Sequence, residues 1–170
     1  FTISTMKICV VGIGYVGLVT GTCFSEFGNN VVCADLPKDM LVNLNKGILP
    51  IYEPGLQEMV KRNAEKKRLT FSANPSEAVK EVDVIFVAVG TPSRGDGGAH
   101  LGYVDDVAQM VAANITKEVV LVLKSTVPVK TNSRIRNIVK DSKFKVHIVS
   151  NPEFLKEGEA VADFMRPDRI

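Results

Sequence analysis

The chain has 170 residues, 45% hydrophobic and 24% charged, which suits one globular domain with its own core and leaves little room for a second. Twenty-one basic against nineteen acidic side chains give a formal charge of +2, which gives no argument for a nucleic-acid surface. No apolar run is long enough to span a bilayer and no basic segment precedes a long apolar one, so no membrane partner is expected and the chain is read as cytoplasmic.

Residues 1–5 precede a strand that opens just after Met6, and they are set aside as a tag or short extension; residues 6–170 are taken as the domain. Short apolar runs predict buried strands at Lys7 to Val11, Asn30 to Ala34, Asp83 to Val89, Val119 to Leu123 and Lys145 to Val149, with a more polar one at Leu69 to Ser72. Helical patterns fall between them, at Tyr15 to Phe27, Asp39 to Asn45, Pro54 to Lys66, Pro75 to Val79, Val104 to Ala113 and Thr131 to Val139. This alternation predicts an α/β fold: a doubly wound, mostly parallel sheet with helices on both faces, of Rossmann type. The Lys61–Arg68 cluster, interrupted by Glu65, reads as a solvated helix face. Cys9, Cys23 and Cys33 read as small buried hydrophobes, and His100 and His147 are too isolated to argue a metal site.

Gly12-Ile13-Gly14-Tyr15-Val16-Gly17 is a GxGxxG directly after the first strand. The first glycine permits a tight turn, the second lets backbone approach a pyrophosphate, and the third allows close helix–strand packing. An ordinary strand-to-helix turn is the alternative. Asp35 ends the second strand eighteen positions beyond Gly17, near the spacing at which a carboxylate meets an adenosine ribose. There it would accept from the ribose hydroxyls and repel a 2′-phosphate, favouring NAD over NADP; otherwise it caps a strand end.

The later loops at the strands' carboxyl ends also carry a chemical and a plain reading. Gly90-Thr91-Pro92 offers close approach and a hydroxyl to a cofactor, or a simple turn. Lys124-Ser125-Thr126 offers two adjacent hydroxyls, or a helix cap. In Asn151-Pro152-Glu153-Phe154-Leu155-Lys156-Glu157-Gly158, a helical turn would place Glu153 and Glu157 on one face, suited to acid–base work or merely solvated.

Together with Ile48-Leu49-Pro50-Ile51-Tyr52-Glu53-Pro54-Gly55-Leu56, Val87-Ala88-Val89-Gly90-Thr91-Pro92 and Lys124-Ser125-Thr126-Val127-Pro128-Val129, these motifs resemble the UDP-glucose/GDP-mannose dehydrogenase family, in its order and over almost the whole chain. The UDP-glucose branch is nearest through Phe164 to Ile170. The resemblance implies an NAD-binding domain, and a two-step oxidation of a nucleotide sugar's C6 alcohol to a carboxylate through an aldehyde-level species held on a cysteine. It implies cofactor contacts from Gly12, Ile13, Gly14, Tyr15, Val16, Gly17, Asp35, Gly90, Thr91, Ser125, Thr126 and Glu157. Thr126 would position a water or the reacting oxygen, Glu153 would act as acid/base, and Glu153, Phe154, Leu155, Lys156 and Glu157 would touch UDP-glucose or a related nucleotide sugar. A homodimer or higher oligomer is expected of the complete enzyme.

Some positions depart from the family. Pro37 and Met40 replace a second acid and a basic residue after Asp35, with Lys38 as the basic residue placed to compensate; Lys130 stands where many members have glycine, and His100 where an aspartate is common. By the same resemblance, the family's central helix, cysteine loop and UDP-binding domain would follow Ile170, and none of the three cysteines occupies the nucleophile's context. A GDP-mannose enzyme and a stand-alone, non-catalytic NAD-binding module are the alternatives.

Overall fold

The computed structural model describes residues 5–35 and 38–169. Strands β1 (Lys7–Val11), β2 (Asn30–Ala34), β3 (Leu69–Ser72), β4 (Val84–Val87), β5 (Val119–Leu123) and β6 (Val146–Ser150) form one parallel sheet in the order β3-β2-β1-β4-β5-β6. The chain therefore starts in the middle, winds outward through β2 and β3, and returns beside β1 to build the other half. Loops leaving β1 and β4 diverge, which opens a crevice at the sheet's carboxyl edge.

Alternation along each strand divides the core. Ile8 and Val10 face one layer with α1 (Tyr15–Glu26), α2 (Lys38–Asn45), α3 (Leu56–Glu65) and α7 (Ala160–Met165). Cys9, Val11, Ile85 and Val87 face the other, beneath α5 (Gly102–Asn114) and α6 (Thr131–Val139), with the short α4 (Pro75–Ala78) delivering Val79 to it. Asn74 caps α4 by accepting from the Glu77 N–H at 3.2 Å, with proline at the first helical position. Helix α1 lies so close to β2 that a Cβ at Gly21 would sit 2.3 Å from the Cys33 sulfur.

Several elements differ from expectation. Strand β4 stops short of Asp83 and Val89: the Asp83 carboxylate takes the Lys7 N–H at 2.8 Å and the Lys117 ammonium at 2.6 Å, and the Val89 carbonyl accepts from the Ser125 hydroxyl. Helix α3 begins at Leu56 rather than Pro54, because Gly55 adopts a left-handed φ of 77°. Helix α7 was not expected. No helical turn carries Glu153 and Glu157: Pro152 drives Asn151 away from helical geometry, and Gly158 is left-handed at φ 88°.

The basic cluster is also more than a solvated face. Arg62 binds Glu26 at 2.9 Å, Asn63 donates to the same carboxylate at 2.6 Å, and Arg68 donates to the Asn63 amide oxygen at 2.7 Å, joining α1, α3 and β3. Among the described residues no helix is long and apolar enough to cross a membrane.

Candidate functional site

A cleft of about 540 Å³ lies over the carboxyl ends of β1 and β4, lined by Gly12, Gly14, Asp35, Gly90, Tyr103 and Met110 among others. A second depression of about 290 Å³ is lined by Tyr15, Val16, Thr91, Ser125, Thr126 and Glu153. The two share Gly14, Ala88, Val89 and Gly90, so one groove crosses the crest of the sheet with Asp35 at one end and Glu153 at the other.

The three fingerprint glycines do different jobs. Gly12 has φ 99°, and a Cβ there would lie 2.6 Å from the Ala88 carbonyl oxygen. At Gly17 a Cβ would lie 1.8 Å from the Gly12 carbonyl oxygen, so this glycine lets α1 start against the turn. Among the described residues, no heavy atom beyond its immediate chain neighbours lies within 4 Å of the Gly14 Cβ position, which opens the groove. It is also the N-cap of α1, with no side-chain cap and no acid in the first turn, so the helix's leading N–H groups are left to other acceptors.

Asp35 borders the groove, and its Oδ2 accepts the Ile13 N–H at 2.7 Å, fixing the carboxylate against the glycine turn. The Ile13 side chain is fully buried in the core; only its backbone belongs to the site. Pro37 and the side chain of Lys38 lie outside the described residues, and Met40 packs against the core rather than toward the cleft.

At the other end, the Thr91 hydroxyl donates to the Thr126 carbonyl at 2.9 Å, and the Thr126 hydroxyl donates to Glu153 Oε1 at 3.3 Å. Glu153 Oε2 is buried with no hydrogen-bond partner among the described residues, an arrangement that asks for one. Ser125 lines the second depression, and its hydroxyl donates toward the Val89 and Val87 carbonyls at 2.6 and 3.2 Å, tying β5 to the end of β4. Phe154 and Leu155 line a separate cavity of about 290 Å³ with Phe24, Lys124, Asn151 and Phe164. Glu157 is exposed and lines neither depression of the groove, and the Lys156 ammonium pairs with Glu159.

Sequence reasoning missed three contributors. Tyr103, Asp106, Val107 and Met110 form the wall beside Asp35, and their i, i+3, i+4, i+7 spacing on α5 was the available signal. Lys124 is buried at the end of β5, with its ammonium 3.3 Å from Asn151 Oδ1; burial lowers its pKa, against the Glu153 charge that raises it. Glu53 is buried with its carboxylate hydrogen-bonded to Tyr15 and Gly158, and nothing local in the sequence announces that. The cysteines are buried and free, and burial pushes the Cys9 and Cys23 thiols up to about 12 and Cys33 higher still, away from nucleophilic chemistry.

Residues 6–170 match the model of the UDP-glucose/GDP-mannose dehydrogenase family, NAD binding domain. The chain belongs to that family. Within it, the chain is 50% identical to a UDP-glucose 6-dehydrogenase of Rhizobium meliloti and 45% identical to one of Pseudomonas aeruginosa, each over 97% of its own length and 38% of the relative's. It is also similar to the structure of a UDP-glucose dehydrogenase from Pyrobaculum islandicum, at TM-score 0.93 and 39% identity, covering 98% of this chain and 40% of that one. A ternary complex of GDP-mannose dehydrogenase from Pseudomonas aeruginosa aligns at TM-score 0.89 and 33% identity, covering 95% of this chain and 39% of that one. The family's cofactor, NAD, fits the residues present: an open Cβ position at Gly14, uncapped N–H groups on α1, and a carboxylate fixed at one end of the groove.

Proposed function

We propose that the chain is the NAD-binding half of a UDP-glucose 6-dehydrogenase, which in its complete form oxidises the C6 alcohol of UDP-glucose to the carboxylate of UDP-glucuronate in two NAD-dependent steps. The supporting observation is the groove whose one end holds Asp35 and whose other end holds the Thr126–Glu153 pair. The 45–50% identities to UDP-glucose 6-dehydrogenases, against 33% to the GDP-mannose enzyme, favour the UDP sugar.

NAD, when bound, would supply the hydride acceptor for the two oxidations. Asp35 would accept from ribose hydroxyls and disfavour a 2′-phosphate by like charge. The uncapped N–H groups at the start of α1 would hold a pyrophosphate, which Gly14 would admit by lacking a side chain. Thr126 holds the reacting oxygen or a water by its hydroxyl, and Glu153, with one oxygen still unpartnered, takes the proton from that water. Covalent sulfur chemistry needs an accessible thiolate, which Cys9, Cys23 and Cys33 do not supply, so the nucleophile belongs to the rest of a longer enzyme.

The test joins this chain at Ile170 to the remaining length of the Rhizobium meliloti relative and follows single-turnover NADH formation with UDP-glucose. The fusion should turn over, the 170-residue chain alone should not, and Glu153→Gln in the fusion should slow acid release by at least about a hundredfold while sparing the first hydride transfer. Turnover by the isolated chain, or unimpaired acid release by the variant, places the chemistry elsewhere.

A further inference from the structure

Glu53 is only 4% exposed, yet its partners are a phenol and backbone N–H groups rather than a cation. The Tyr15 hydroxyl donates to its Oε2 at 2.5 Å, the Gly158 N–H to the same oxygen at 2.8 Å, and the Val161 N–H to its Oε1 at 3.4 Å. These partners stand 38, 105 and 108 positions away in sequence. Tyr15 is the first residue of α1, directly after the Gly14 opening, and lines the Glu153 end of the groove; its hydroxyl also lies 3.5 Å from the Lys156 carbonyl. Gly158 ends the loop that carries Glu153. One carboxylate thus grips the cofactor turn on one side and the acid–base loop on the other.

A buried carboxylate is a costly way to close a seam, and apolar residues of similar volume would serve stability as well or better. What it adds is direction: two oxygens with several fixed donors hold the loop in one orientation relative to α1. Burial pushes the carboxyl up, and the hydrogen bonds from Tyr15, Gly158, Val161 and Ala160 outweigh it, leaving Glu53 below the ordinary carboxylate range and charged at neutral pH.

We propose that Glu53 is a positioning residue that couples cofactor seating to the 151–158 loop, so that NAD settling against the Tyr15 turn orders the segment presenting Glu153. This rests on the NAD reading of the groove. Amide exchange of the 170-residue chain, read by mass spectrometry with and without NAD, tests it alongside calorimetric NAD affinity. In the unmodified chain NAD should slow exchange across 151–161 at least tenfold. Glu53→Ala should abolish that NAD-dependent slowing and weaken NAD at least fivefold, whereas Glu53→Gln, whose amide oxygen still accepts backbone N–H groups, should restore part of both. A purely structural Glu53 would lower the unfolding midpoint and leave the NAD-dependent slowing intact, which overturns the proposal. Should Glu53→Ala fail to fold, Tyr15→Phe removes the cofactor-side arm, together with the long Tyr15–Lys156 contact, and leaves the Gly158 and Val161 N–H bonds to Glu53 in place, so it must lose the coupling; retained coupling there overturns it equally. Absence of NAD binding by the unmodified chain sinks the cofactor reading and the coupling together, whereas NAD binding with coupling unchanged in the variants sinks the coupling only.

Discussion

A side chain at Gly14 would enter open groove, whereas one at Gly17 would collide with the Gly12 carbonyl at 1.8 Å. The two positions therefore separate binding from folding. Gly14→Val should weaken NAD by at least about a hundredfold and leave unfolding stability within about 0.5 kcal/mol, because the new atoms meet the ligand and not the protein. Gly17→Ala should cost about 3 kcal/mol or more, or prevent folding, because the clash is with backbone that cannot swing aside. Calorimetry and urea titration of the two variants check this; NAD binding retained by Gly14→Val would mean that the groove is not the pyrophosphate site. The division among these glycines was legible in their spacing, since each answers to a local steric demand. Glu53 was not, because its significance lies in partners 38 and 105 positions away.

Helix α6 starts from Lys130, held at φ 73° in the left-handed region where a Cβ crowds the following carbonyl. Glycine at this place suits the turn better, so Lys130→Gly should stabilise the chain by about 0.5–1 kcal/mol, read as a higher urea midpoint, once glycine's extra unfolded entropy is subtracted. At the junction of α1, α3 and β3, the hydrogen bonds and charge of Arg62 hold the Glu26 carboxyl below its ordinary value, with Asn63 adding to them against partial burial. A folded-state pKa below the unfolded one, about 4.3, contributes stability that is fully present above that pH and disappears as pH falls through the lower folded value. Between pH 7 and pH 3 the unmodified chain should therefore lose more stability than Glu26→Gln does, and equal losses would remove Glu26 from the acid response. Helices with a clean apolar stripe were readable in the sequence, and α7 was not: its six residues follow an irregular loop and carry too little periodicity to register.

The doubly wound parallel architecture follows from alternation of strand and helix with right-handed crossovers and was readable in the sequence, whereas the order β3-β2-β1-β4-β5-β6, which sets the crevice between β1 and β4, was not, because doubly wound sheets occur in more than one order. What alternation cannot give is how far each strand's end reaches over the crest. That depends on hydrogen bonds such as Ser125 to Val89 and Thr91 to Thr126, made across the sheet between residues whose own neighbours in sequence look like ordinary turns. The Thr126–Glu153 contact arises the same way, and its two residues come together only because β5 is flanked by β6.

The same two-layer core leaves the chain with a built-in gauge of how it opens. Cys9 points into the layer under α5 and α6, while Cys23 and Cys33 sit in the layer of α1, α2, α3 and α7. With all three buried and their thiols suppressed, an alkylating reagent at pH 8 has nothing to attack until a layer parts. If the sheet and both layers separate as one cooperative unit, the three sites should be labelled at a common rate set by global unfolding, and NAD should slow all of them alike. Faster labelling of Cys9 alone would reveal that the α5–α6 side breathes independently. The native cysteines thus make each face of the molecule a clock, readable by mass measurement of proteolytic peptides without introducing a single probe.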